Sequence, residues 1–329
     1  MRCSVTERGA GTGIAAGYAL PFAALVLGAA AMGVSPLFVR FAAAEIGPFA
    51  SAFWRVALAL PVLYLWARLE PASSGVPLFE RGALLAGLAF AGDLFFWHLA
   101  ILGTTVANAT FFATTAPVFV VLVTALVLRR PVLRPVLIGL GLCLAGGAAL
   151  IGQSLQVDPG RSLGDFYGIV TAVFFALYFL AVARARRVGG AARVTLALSL
   201  VTASILLMVA LVLDHGRFWP QSATTWAALL VLGLISHAGG QGLLSVALGR
   251  LPAVFSSLVI FLEAIVAAIA GWIFLGEALG PAQYAGGALI LIGIWIARPR
   301  RAAAPEQGST TAPISPTTPD MMANRGTAS

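Results

Sequence analysis

The chain has 329 residues, of which 60% are hydrophobic and only 10% charged, with a formal net charge of +8. Ordinary soluble domains carry roughly 25% charged residues, so this composition and a mean hydropathy of +0.97 exclude a soluble core of any size and make lipid the solvent. A pI near 10.7 is the signature of a nucleic-acid partner in a soluble protein; here the placement of the basic residues removes that reading, as shown below.

The chain opens with MRCSVTERGAGTG, followed by an apolar run that continues to about Val39. That run exceeds the roughly 7 to 15 residues of a secretory h-region, so it predicts a retained first span preceded by a cytoplasmic segment, residues 1–16. Apolar stretches of about 20 residues, long enough to cross a bilayer, are predicted over 17–39, 47–66, 82–102, 105–128 and 132–151. Five more follow over 164–183, 194–213, 226–248, 252–275 and 279–297. A β-barrel needs segments of about 10 residues that alternate lipid-facing and lumen-facing side chains; these runs are longer and do not alternate. The expectation is an all-α integral membrane protein of ten transmembrane helices. Cys3 and Cys143 are the only cysteines and give no disulfide framework. The last segment, 298–329, is rich in Pro, Ser, Thr and Ala and reads as a disordered cytoplasmic tail.

Every basic residue is an arginine. With both termini cytoplasmic, the inner segments hold Arg2, Arg8, Arg68, Arg81, Arg129, Arg130, Arg134, Arg184, Arg186, Arg187, Arg193, Arg250, Arg298, Arg300, Arg301 and Arg325. Only Arg40, Arg161 and Arg217 fall outside, and Arg55 lies within a span. This is the bias of the positive-inside rule. The basic pI is therefore topological, and no nucleic-acid partner is implied.

An offset of 146 residues superposes the two halves without a gap, pairing Leu84 with Leu230, Gly87 with Gly233, Gly103 with Gly249, Pro135 with Pro281 and Gly147 with Gly293. The expected organisation is two five-helix repeats, 17–151 and 164–297. Five is odd, so the second repeat enters the membrane inverted: the loop holding basic RRPVLR, 129–134, has as its counterpart the loop holding acidic GEALGP, 276–281. Inverted repeats give many secondary transporters two related conformations around a site near the midplane.

Several polar residues stand at membrane depth. The stretch FAGDLFFWHLAILGTTVANATFF, 90–112, holds Asp93, His98 and Asn108. An ionised Asp at a helix centre costs about 2.5 to 3.5 kcal/mol on insertion scales, so Asp93 is a candidate proton-titrating or cation-binding carboxylate. Trp97, one turn on, shares its face and either walls a ligand or packs. His98 is turned about 140° from Asp93 and either serves the site or bonds a neighbouring helix. Asn108 offers a substrate hydrogen bond or interhelical bonding. In the second half His237 and Gln241, spaced i, i+4, are expected on one face of the eighth span, with Glu263 midway along the ninth. Glu263 either shares a cavity with Asp93 or pairs with Arg55 or His237. Arg55 either anchors a substrate carboxylate or neutralises one of the two acids. Pro36, Pro117 and the Gly239-Gly240 pair suit hinges and close packing.

In GVSPLFVRFA (33–42), FWRVALALP (53–61), LGTTVANATFFATTAPVFVVLVTALVL (102–128) and FLGEALGPAQYAGGALILIG (274–293) the chain resembles the drug/metabolite transporter superfamily, in its ten-helix EamA-type branch, over residues 17–297. The resemblance implies a multi-pass carrier of the bacterial inner membrane that moves small metabolites, often outward, such as amino acids, drug-like amines or nucleotide-linked compounds. The chain departs from the family pattern at Arg130-Pro131, where Gly-Glu is frequent, and at Glu263, where a proline like Pro117 is usual.

The expected function is a secondary transporter, an exporter working by alternating access with a small-molecule substrate, proton coupling and no cofactor. The rivals are an integral-membrane enzyme and a scaffold subunit of a membrane complex. The three histidines, His215 among them, form no HExxH pair and no Gly-x-Ser-x-Gly elbow occurs; a scaffold has no need of acids at mid-span in both halves. Without an ATP-binding loop, transport is expected to be gradient-driven or facilitated.

Overall fold

In hydrocarbon each backbone donor and acceptor must be satisfied within its own segment, and these apolar runs resolve into helices throughout. The computed structural model describes residues 10–43, 45–71, 76–152, 159–214, 216–275 and 280–299, with no strand among the described residues. Among the described residues nine helical spans are long and apolar enough to cross a membrane: Tyr18–Ala43, Pro48–Leu69, Arg81–Gly103, Ala107–Val127, Arg134–Ile151, Ser162–Ala185, Ala191–Leu213, Ala223–Leu248 and Ala253–Phe274. The tenth, Pro281–Ala297, is apolar and shorter; its 17 residues rise about 25 Å, at the lower limit for a span. The helix that carries the first span begins at Ala10, ahead of the predicted start at residue 17. Cys3, His215, the segment 1–9 and the tail from residue 300 lie outside the described residues.

Five spans are interrupted near mid-depth. The first breaks at Val34, ahead of Pro36. Proline has no N–H to give the carbonyl four residues back, and here the Ser35 hydroxyl donates to that carbonyl, Met32 O, at 2.6 Å. The second turns at Leu58–Ala59 before Pro61, and the fourth at Thr115 before Pro117. The eighth runs as a π-helix over Val231–Gln241, and the ninth breaks at Ile260–Phe261, immediately before Glu263. Such breaks are tolerated at depth where protein or a cavity, rather than lipid, receives the freed backbone.

The packing of the spans repeats between halves. The third packs on the sixth and the first on the eighth; the fourth on the sixth and the first on the ninth; the third on the seventh and the second on the eighth. Each pair becomes its neighbour when every span is exchanged for the one five places along. The second and seventh spans, which this exchange maps onto each other, pack together, as do the fifth and tenth.

Both of these self-mating pairs run antiparallel, as inverted repeats require. At the fifth–tenth crossing a Cβ on Gly139 sits 2.5 Å from Gly293 O, and a Cβ on Gly146 sits 2.5 Å from Gly286 O; small residues let the two backbones touch. The second and seventh are tied at both ends. Glu70, just past the second span, accepts from Ala192 N at 3.3 Å and Arg193 N at 3.1 Å, while Asp214, just past the seventh, accepts from Ala50 N at 2.5 Å. A carboxylate at a helix N-terminus meets unpaired N–H groups and the positive end of the dipole.

A further tie joins the halves through the loop after the first span. Glu45 accepts from the Ser222 hydroxyl, from Thr225 Oγ1 at 2.7 Å, from Gln221 N and from Ser222 N at 2.9 Å. These donors, the Ser222 and Thr225 hydroxyls foremost, hold its carboxyl at about 2, well below its ordinary 4.5.

Candidate functional site

The interrupted segments converge on a cavity of about 50 Å³, room for about four water molecules. Both halves line it. Arg55 reaches it from the second span, Asp93 and Trp97 from the third, Gln241 from the eighth and Glu263 from the ninth. Each is there for a local reason. Asp93 and Trp97 are spaced i, i+4 on an unbroken helix, so one face carries both. Glu263 stands in the first turn of Leu262–Leu275, which the break at Ile260–Phe261 starts at this depth. Gly33 lets the first span approach so closely that a Cβ there meets Glu263 O at 2.9 Å.

Arg55, 4% exposed, donates from Nη2 to Ser236 Oγ at 3.1 Å and places Cζ 5.6 Å from the centre of the Trp97 ring. That distance is within the range of a cation–π contact. Asp93 is 7% exposed. The guanidinium lies within Coulombic reach of both carboxylates, yet among the described residues no ion pair within 4.0 Å joins it to either acid. Arg55 Nε and Glu263 Oε1 are buried and without a hydrogen-bond partner among the described residues. Buried charged atoms are costly unless paired, so one cation and two acids left open around a cavity are an arrangement suited to a polar or charged guest.

Gln241 is held from behind: Tyr178 of the sixth span donates its hydroxyl to Gln241 Oε1 at 2.8 Å. Phe90 packs with its ring tilted against the same tyrosine at 4.8 Å and against His237 at 5.4 Å, closing one wall.

Three sequence-predicted residues do not line this cavity. His98 is 1% exposed; its Nδ1 bonds Leu94 O of its own helix at 2.7 Å and its ring packs edge-on to Trp97 at 5.4 Å. Asn108 Nδ2 donates to Asp165 Oδ1 at 3.1 Å, beside Thr104 Oγ1, which donates to the same oxygen at 2.7 Å, and so ties the start of the fourth span to the sixth. His237 turns away, with Nε2 on Ser199 Oγ at 2.8 Å. The expectation that His237 shares a face with Gln241 assumed α-helical spacing. Both lie in the π-helical segment, whose i→i+5 bonding widens the turn, and only Gln241 reaches the cavity. The pairing of Glu263 with Arg55 or His237 is likewise not formed.

Reading the sequence missed Ser35, Thr110, Thr114 and Thr171, all of which line the cavity, and Tyr178 behind it. Threonine and serine are frequent in membrane helices, where they bond their own backbone, so no pattern singled these out. The recurrence of phenylalanine and tyrosine along the sixth span concealed Tyr178 in the same way.

Two copies of one family pattern account for the chain: residues 20–152 and 162–298 both match the EamA-like transporter family. The protein belongs to that family. It is a multi-pass membrane transporter whose substrates are small molecules, as its EamA-like repeats and its helices together establish. Among curated relatives, an uncharacterized transporter of Archaeoglobus fulgidus is 29% identical over 201 residues, 60% of this chain and 69% of its own. A pseudopaline exporter of Pseudomonas aeruginosa is 27% identical over 271 residues, 81% of this chain and 92% of its own. One solved crystal structure superposes with a TM-score of 0.71 over 86% of this chain and 96% of its own, at 18% identity, and attests the fold alone. Transport, rather than catalysis, is what the family and these relatives point to.

Proposed function

We propose that this EamA-family protein is a secondary exporter of small metabolites, amino acids or drug-like amines, working by alternating access between its two five-helix repeats, 17–151 and 164–297. The observation that carries the reading is the open charge set: Arg55, Asp93 and Glu263 face one cavity from three spans of two halves, with no ion pair closing it among the described residues. Asp93 and Glu263 take up and release the coupling proton, and Arg55 meets a substrate carboxylate where one is present. In the alternating-access scheme proposed here the halves part on one side to load and on the other to release. The pseudopaline exporter relative supports outward movement. We assign the protein to a bacterial inner membrane, as the family resemblance implies, and the bias of arginines toward one side supports cytoplasmic termini.

The test is purified protein in liposomes with an enclosed pH dye, offered amino acids, amines and nucleosides. Wild type is expected to couple substrate flux to proton movement, and Asp93→Asn or Glu263→Gln to lose coupled flux by about tenfold or more while remaining folded. Flux without proton movement overturns coupling; absence of flux for every compound overturns the transporter of small polar metabolites.

A further inference from the structure

Hydroxyls within the spans of this chain generally satisfy themselves on their own helix. Thr114 donates to Phe111 O at 2.8 Å, Thr195 to Ala191 O at 2.8 Å, Thr202 to Leu198 O at 2.9 Å and Ser257 to Val254 O at 2.9 Å. This is the ordinary behaviour of serine and threonine in a helix. Thr110 and Thr171 depart from it. Both line the cavity, they are 9% and 1% exposed, and neither Oγ1 has a partner among the described residues. Ser51, Thr124 and Ser256 also hold unpartnered hydroxyls, but these do not border the cavity. Among the residues that border it, the buried uncharged side-chain atoms without a partner are the hydroxyls of these two threonines.

Their position is not arbitrary. The fourth and sixth spans pack side by side, with Asn108 on Asp165 and Gly168 so close under Phe112 that a Cβ would lie 2.7 Å from Phe112 Cβ. Thr110 and Thr171 come from these two helices, together with apolar Ala113 and Phe175. The charged groups come from the second, third and ninth spans. The two threonines and the charged groups therefore reach the one cavity from different helices.

We propose that Thr110 and Thr171 are specificity-determining residues that bind an uncharged polar group of the substrate, a hydroxyl or a carboxamide, while its charged end faces Arg55, Asp93 and Glu263. The substrate class is then a small charged metabolite with a second, neutral hydrogen-bonding group. This rests on the transport reading above. Both hydroxyl oxygens are already out of contact with solvent and without a partner among the described residues, so a guest that offers them a hydrogen bond gains what a guest of the same size without one does not.

The test uses full-length protein in liposomes and matched compounds differing by one polar group: threonine against valine, asparagine against leucine, and ethanolamine against propylamine. Wild type is expected to favour the polar member of a transported pair by about tenfold in KM. Thr110→Val and Thr171→Val, which keep shape and remove the hydroxyl, are expected to collapse that ratio, the double variant most, and Thr→Ser at either position to restore it. Collapse in KM with restoration by serine is not what loosened packing produces. A wild type without preference, or a preference that survives the double variant, overturns this proposal and leaves the transport reading standing. A wild type that moves none of the compounds overturns both.

Discussion

At the crossing of the third and sixth spans the helices touch through backbone, and one methyl group there has a calculable effect. A Cβ on Gly164 falls 2.3 Å from Gly103 C, 2.5 Å from Gly103 O and 2.6 Å from Thr104 N. Ordinary contact starts near 3.4 Å, and none of these atoms can swing aside, so in Gly164→Ala the helices must part by about 1 Å. The same movement stretches the 2.7 Å bond from Thr104 Oγ1 to Asp165 and the 3.1 Å bond from Asn108 Nδ2 to Asp165. At about 3.7 and 4.1 Å both fall outside hydrogen-bonding range. Overpacking costs about 1 to 3 kcal/mol and each lost interhelical bond in a membrane protein about 0.6 kcal/mol, a total of roughly 2 to 4 kcal/mol. Gly141→Ala is the control, since nothing lies within 4 Å of a Cβ there; it is expected to be neutral or to stabilise by about 0.5 to 1 kcal/mol through helix propensity. Unfolding in mixed micelles with rising SDS fraction, followed by circular dichroism, reads both. Equal midpoints for Gly164→Ala and Gly141→Ala would refute the close-packed crossing.

The Glu45 tie makes stability pH-dependent in a defined sense. With its carboxyl held at about 2 against an ordinary 4.5, its contribution is complete above about pH 4.5 and is lost as pH falls toward 2. The melting-temperature advantage of wild type over Glu45→Gln is therefore expected near pH 6 and expected to shrink near pH 3; an advantage constant with pH would count against the tie. His98→Leu and His237→Leu are expected to retain substrate flux within about threefold of wild type when flux is normalised to folded protein, because neither ring borders the cavity; a loss equal to that of Asp93→Asn would place them in the transport machinery. Arg55→Met, which keeps the length of the side chain and removes its charge, is expected to raise KM for carboxylate-bearing substrates by about tenfold or more and to leave simple amines less affected. Equal effects on both classes would contradict the carboxylate role.

The class of the protein, its ten helices and its doubled organisation were legible in the residues because they follow from one-dimensional quantities. Length of apolar run, arginine placement and the 146-residue offset need no knowledge of which helix touches which. The acids were legible too, because a carboxylate in hydrocarbon costs enough to stand out against any background, and Asp93, Glu263 and Arg55 do meet at one cavity. Trp97 followed from its spacing to Asp93 on an unbroken helix. What the residues could not decide was which way the remaining polar side chains turn. Trp97 and His98 are neighbours in the chain, yet a step of about 100° around the helix puts one on the cavity and the other against its own backbone. The π-helical turn sends His237 to Ser199 while Gln241 stays with Tyr178, and Asn108 finds Asp165 57 residues away. Thr110 and Thr171 carry no mark that distinguishes them from the threonines that bond their own helices. Rotation of each helix about its axis is fixed by packing against several others at once, so the convergence of these side chains was decided by the tertiary structure alone.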